Sequence, residues 1–218
     1  MSALSTPLPF PAAVSAASAD PQRPPAPAVP LWTIQELSGR LVELSGWQRT
    51  AHLTTACGLV LDAQLGGDRA AWVTLESSSF FPPDVADGGV DLAALPVVRV
   101  PDPRLAGRAA DHLVRSGGFG LVVIDLSSAR DDAYARLPVP LLTRLLGLAR
   151  AHEVAVLLLT KKPSASASLN SLVSLRAEAT WMPMGGGRYE LRVSAIKDKR
   201  RGPGWTHVEV CRGPAGLR

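Results

Sequence analysis

Three groups of residues in this sequence are of types and spacings that could act on a phosphate. The stretch GRLVELSGWQRTAHLT, residues 39–54, runs an apolar segment into Gly46. A phosphate-binding loop is built this way: backbone N–H groups and a helix N-terminus converge on the anion, a lysine reaches the outer phosphates, and a hydroxyl holds Mg²⁺. Where that loop needs Gly-Lys-Ser/Thr, this chain has Ala51, His52 and Leu53. Ala51 hinders close backbone approach. His52 is shorter than lysine and mostly neutral at pH 7 at its ordinary pKa. Leu53 has no hydroxyl, although Thr54 follows, and Arg49 and Thr50 are nearby substitutes. Taken alone, the stretch reads as a plain strand–turn–helix. The second group is a pair of carboxylates. Asp125 ends the apolar run LVVI, where a carboxylate holds Mg²⁺ or its water; a loop-capping Asp is the bland alternative. Glu76 ends AWVTL, where it could polarise a water for attack on a γ-phosphate, or be an exposed turn residue. The third group is basic: Arg188, Arg192, Lys197, Lys199, Arg200 and Arg201 are opposed only by Glu190 and Asp198 in that span. Most such runs are solvated faces, and the sharper reading is a phosphate-contacting edge.

These groups need elements to hold them. Leu41–Leu44 reads as a strand, and Leu53 to Leu65 has helical apolar spacing that stops at Gly66-Gly67. Ala71–Leu75 and Pro96–Val100 read as strands, and Leu105 to Arg115 as a helix closed by Gly117-Gly118. Leu121–Ile124 and Val154–Leu159 are unbroken apolar runs separated by a helix over Pro140–Ala151, the pattern of parallel strands buried on both faces. A short helix is expected near Asn170–Leu175, then antiparallel edge strands at Ala179–Met184, Tyr189–Ile196 and His207–Cys211. The spacing predicts an α/β domain, a mainly parallel sheet flanked by helices with antiparallel C-terminal strands. Ligands of such sheets sit beyond the carboxyl ends of the strands, where the 46–54 loop, Glu76 and Asp125 fall. Residues 1–30 are rich in Pro, Ala and Ser and are expected to be a disordered tail. The folded domain is expected over 31–211, with 212–218 a C-terminal tail.

Composition narrows the classes. A chain of 218 residues with 46% hydrophobic content can bury one sizeable core. No apolar run is long enough for a membrane span, and no basic region opens a signal peptide. Cys57 and Cys211 lack metal-type spacing and read as reduced, buried thiols in a cytosolic protein. The formal charge of +4 is mild. The five tryptophans read as packing residues, with Trp47 the exception because it sits inside the loop. Phe80-Phe81-Pro82-Pro83 reads as a surface bend.

The order of parts, from Gly39–Gly46 through Val73–Glu76, Gly89–Leu92, Ala110–Gly117, Leu121–Asp125 and Val156–Lys161 to Val193–Lys199, resembles the core of the RecA recombinases over about residues 31–211. The resemblance implies a RecA-like P-loop NTPase-type core that takes ATP and Mg²⁺. It places Glu76 and Asp125 as catalytic residues, with Asp125 toward Mg²⁺, and Gly46, Arg49, Thr50, His52 and Thr54 on the nucleotide. Lys197 and Lys199 would reach the ATP of a neighbouring subunit in a homo-oligomer. Lys161, Lys162, Lys199, Arg200 and Arg201 are the implied DNA contacts. The departures are as informative. The phosphate loop differs at three key positions, both DNA loops are short (Ser127–Leu137 and Pro163–Leu169), and the recombinase's C-terminal domain has no counterpart. A short chain of this kind with a Pro/Ala-rich tail resembles the ImuA family, also called SulA-like. That resemblance implies an accessory factor of damage-induced translesion DNA synthesis in the cytoplasm, associated with the nucleoid on damage. Its implied partners are an ImuB-type inactive Y-family polymerase, single-stranded DNA and a RecA filament. Weak DNA-linked ATP hydrolysis stays open, as does the alternative of a SulA-like cell-division inhibitor without nucleotide activity.

Overall fold

A computed structural model describes residues 31–48, 50–129 and 137–212. Its centre is an eight-stranded sheet in the order β3-β2-β4-β5-β1-β6-β7-β8. The strands are β1 (Leu41–Gly46), β2 (Ala70–Leu75), β3 (Val97–Val100), β4 (Leu121–Asp125), β5 (Ala155–Lys161), β6 (Leu175–Gly185), β7 (Arg188–Asp198) and β8 (Thr206–Arg212). From β3 to β6 all neighbours are parallel, and β7 and β8 complete the sheet antiparallel. Every residue of β1, β2 and β4 is buried, which is what a parallel strand covered on both faces requires.

Helices α1 (Ile34–Leu37) and α2 (His52–Leu65) cover one face, packing on Val42, Leu44, Trp72, Val123 and Leu157. Helices α4 (Pro103–Arg115) and α5 (Val139–Ala151) cover the other, over Leu41, Val73, Val122, Ile124 and Val156. The start of α4 is explicit in sequence: the Asp102 side chain accepts from Leu105 N–H at 2.9 Å, and Pro103 occupies a first-turn position that has no partner for an N–H. A short α3 (Pro83–Ala86) and a 3₁₀ turn (Leu92–Ala94) lie between β2 and β3. Among the described residues no helix is long and apolar enough to cross a membrane.

Three expectations are corrected. Asn170–Leu175 is not helical. The Asn170 side chain accepts from Leu172 N–H at 2.9 Å and its carbonyl from Val173 N–H, a local turn that competes with helix, and Leu175 already begins β6. Phe80 is not on a surface bend: it is buried and stacked on Trp72, ring centroids 4.1 Å apart, while Phe81 is exposed. Cys57 is buried, its thiol pushed up to about 12 by desolvation, but Cys211 is only half-buried. The expected tails, 1–30 and most of 212–218, lie outside the described residues.

Candidate functional site

The carboxyl ends of the parallel strands bring Glu76, Asp125, Lys161 and Gly46 to one edge of the sheet. Thr74 is the register partner of Asp125, and Glu76 follows two residues beyond it. Lys161 pairs with Gly46 in register. Glu76 and Lys161 are exposed, and Asp125 is fully buried. Arg49, the implied nucleotide contact between them and α2, lies outside the described residues.

The loop after β1 is closed on itself. Thr50 N–H donates to Gln48 O, Ala51 N–H to Ala179 O at 3.1 Å, and His52 N–H to the Thr50 hydroxyl at 3.3 Å. Three successive N–H groups that a phosphate loop aims at its anion are thus engaged within the protein. Thr50 also forms a β-bridge to Thr180 of β6. Its hydroxyl contacts His52 Nδ1. The two side chains sit against Gly46: a Cβ added there would lie 1.7 Å from Thr50 Oγ1 and 2.8 Å from His52 Nδ1. Glycine is therefore required at 46, for room to hold the chain's own side chains. His52 is buried, and its Nε2 has no hydrogen-bond partner. Desolvation lowers its pKa below the ordinary value, with the nearby Asp125 charge acting the other way and Lys161 reinforcing the drop. Burial thus favours the neutral ring. Thr54 is exposed in the first turn of α2.

Asp125 is equally engaged. One carboxylate oxygen accepts from Thr74 Oγ1 at 3.1 Å and Ser78 Oγ at 2.9 Å. The other accepts from the Ser127 N–H at 3.0 Å and its hydroxyl at 2.5 Å. A carboxylate has about four acceptor positions, so a Mg²⁺ would have to displace these donors. The filled cradle, the neutral His52 in the lysine's place and the saturated Asp125 do not fit ATP with Mg²⁺ in this conformation.

The implied DNA contacts divide sharply. Lys162 is buried, with its ammonium 2.5 Å from Glu43 Oε1 and donating to Ala167 O at 2.6 Å. Glu43 also accepts from Thr160 Oγ1 and Leu169 N–H. Arg176 binds the carbonyls of Ser166 and Pro163. The 163–169 loop, short already in sequence, is pinned by buried charges. Lys197 and Lys199 lie near the amino end of the parallel strands, since Asp198 pairs with Leu175 and Leu175 with Val42, roughly 13 Å of strand from Gly46. Within one chain they do not approach the loop. Lys199 Nζ donates to Ser171 O at 2.6 Å, Arg200 to Glu36 O and Ser38 O, and Arg201 pairs with Glu36 at 2.7 Å. The neighbouring Asp198 is buried beside Arg40 at 2.6 Å.

The fold is a RecA-like core. Over 120 residues, half of the chain, it is 35% identical to Protein RecA of Corynebacterium urealyticum. Over 92 residues, 42% of the chain, it is 38% identical to Protein RecA of Nocardia farcinica and 37% to that of Nocardioides sp.. The chain spans about a third or less of the length of these RecA proteins, matching 32%, 26% and 26% of them. No family model matches it. The RecA-like relationship agrees with an α/β core built on a mostly parallel sheet with antiparallel C-terminal strands.

Reading the sequence for RecA-like parts missed the residues that occupy the site. Glu43 carried a signal, as a lone carboxylate inside the apolar run LVELSG. A charge buried in a parallel strand must find a partner. The hydroxyls at Thr74, Ser78 and Ser127 flank the two carboxylates closely enough to have suggested Asp125's donors. Ala179 and Thr180, which take up the loop's backbone, gave no signal.

Proposed function

We propose that this protein is a RecA-derived accessory factor of damage-induced translesion synthesis, of the ImuA type, that works by binding rather than by nucleotide turnover. The observation that carries this reading is the loop at Gly46. The parallel strands flank it, yet Thr50 and His52 pack against Gly46 and the loop N–H groups bond within the chain. Losing the loop lysine removes a charge that such sites use on the transferring phosphoryl group. The fold is left as a scaffold for partners, an ImuB-type inactive polymerase first among them, with single-stranded DNA and a RecA filament as further ligands.

Two measurements test it together. Mg²⁺-dependent ATP turnover is expected to stay at background for wild type and Glu76→Gln, with and without single-stranded DNA. The wild-type chain is expected to retain an ImuB-type polymerase partner in a pull-down. Turnover that disappears in Glu76→Gln means a working nucleotide site and overturns the adaptor reading. Retention of a cell-division GTPase in place of the polymerase selects the division-inhibitor alternative.

A further inference from the structure

The cations implied as DNA contacts are largely engaged in the fold, but another set is not. Along the exposed side of α4 stand Arg104, Arg108, His112 and Arg115. Their spacings of 4, 4 and 3 residues keep them on one face, and at 1.5 Å per residue they form a row roughly 16 Å long. Helix α5 runs beside α4 and brings Arg144 to Asp111, Nε to Oδ1 2.7 Å. Close approach is permitted by Gly107, where a Cβ would meet Leu141 Cδ2 at 2.4 Å. Between the helices lies a cavity of about 270 Å³ lined by Arg108, Asp111, His112, Arg115, Leu141 and Arg144.

The geometry points to the α4–α5 groove as a binding site for the phosphodiester backbone of nucleic acid. Among the described residues, the lining has three guanidiniums and an imidazole against one carboxylate. That carboxylate, Asp111, is buried at the foot of the groove; Arg144 is at ion-pair distance, but Oδ1 has no hydrogen bond in good alignment. Arg144 offsets its charge, leaving Arg108 and Arg115 in excess. Arg115 donates to His112 Nδ1 at 2.7 Å, which leaves the His112 Nε2–H as a further donor. Arg104 and Arg108 have no ion-pair or hydrogen-bond partner among the described residues. Planar guanidiniums in a row suit phosphates, each offering a two-pronged donor to phosphate oxygens. A protein partner would be expected to find apolar or aromatic anchors in the middle of the groove, and among the described residues Leu141 is the single apolar one lining it. The site deepens the DNA-binding part of the function proposed above and moves it away from the strand-end loops; polymerase binding does not depend on it.

The test is fluorescence anisotropy of the full chain with a labelled oligo-thymidine, titrated at 50 to 200 mM NaCl. The double variant Arg108→Ala/Arg115→Ala is expected to bind at least tenfold more weakly at the low salt. The slope of log K against log salt is expected to fall by about 1.4, two contacts at 0.7 each. Arg108→Glu, a single exposed change, repeats the loss should the double variant fold poorly by circular dichroism. Wild-type affinity in these variants overturns the proposal. So does absence of binding by the wild type, or a loss found instead in Lys161→Ala. Displacement of the oligonucleotide by an equal concentration of a polyglutamate peptide also overturns it, because it would assign the groove to an acidic protein. Retention of the ImuB-type polymerase by the same variants separates failure of this site from failure of the adaptor reading.

Discussion

The loop after β1 and the groove between α4 and α5 are built from opposite treatments of polar groups. At the loop, the N–H groups of Thr50, Ala51 and His52, the Asp125 carboxylate and the Lys162 ammonium all have partners within the chain. In the groove Arg108 is exposed and has none among the described residues, as has Arg104 one turn before it on α4. A site that takes a ligand must hold binding groups that the fold itself leaves unsatisfied. By that measure the loop after β1 is structural in this conformation, and the α4–α5 groove, where we propose binding, keeps free cations. The difference teaches that a carboxylate or lysine in the right place in a sequence is functional only if its neighbours leave it free.

The comparison breaks most visibly at the two kinds of cation. Lys162→Ala leaves Glu43 buried without its counter-charge, and removing one partner of such a pair costs about 3–5 kcal/mol. Arg108→Ala is expected to change stability by less than about 0.5 kcal/mol, as exposed substitutions do. Urea denaturation of both variants checks this. Equal losses would mean that the groove arginines are structural too, or that Lys162 is not.

A smaller effect is expected at Gly46. The added methyl of Gly46→Ala meets the Thr50 hydroxyl and Cβ, and Thr50 cannot yield without moving its backbone. Overpacking of this kind costs about 1–3 kcal/mol. Adding Thr50→Gly should return part of that loss, because it removes the Thr50 clash and leaves only His52 Nδ1, at 2.8 Å, to shift. If the double variant is no more stable than Gly46→Ala by thermal unfolding, the loop does not sit closed on Gly46 as described.

Much of the frame was legible in the sequence for plain reasons. Unbroken apolar runs such as LVVI fixed buried parallel strands, and Gly66-Gly67 ended α2 where the spacing did. Glu76 and Asp125 fell at strand ends because chain order alone sets that. What was not legible depends on contacts distant in sequence. Lys162 reads as a surface cation beside Lys161, and only the return of β1 against β5 puts Glu43 under it. The loop's fate depends on β6, some 130 residues away, offering Ala179 O and Thr180 as partners. The helix expected at Asn170–Leu175 failed because a single Asn side chain bound its own downstream N–H.

The smallest effect sharpens the comparison at one imidazole. Burial lowers the His52 pKa, outweighing the opposing Asp125 charge. The folded chain therefore refuses a proton that the unfolded chain accepts below its ordinary value of about 6.5. The unfolded state then binds more protons, so stability is full above about pH 6.5 and falls as pH drops below it, by at most about 1.4 kcal/mol per unit. His52→Gln lacks this term while keeping the other titrating groups. The wild-type advantage over the variant should accordingly shrink between pH 7 and pH 5 in urea melts. A phosphate seated in the loop would favour the imidazolium and reverse the trend, so the same curve with and without Mg²⁺-ATP should superimpose. A gap that stays constant with pH would mean that His52 is solvated; a gap that widens on acidification, or moves with ATP, would mean that the cradle opens to phosphate after all.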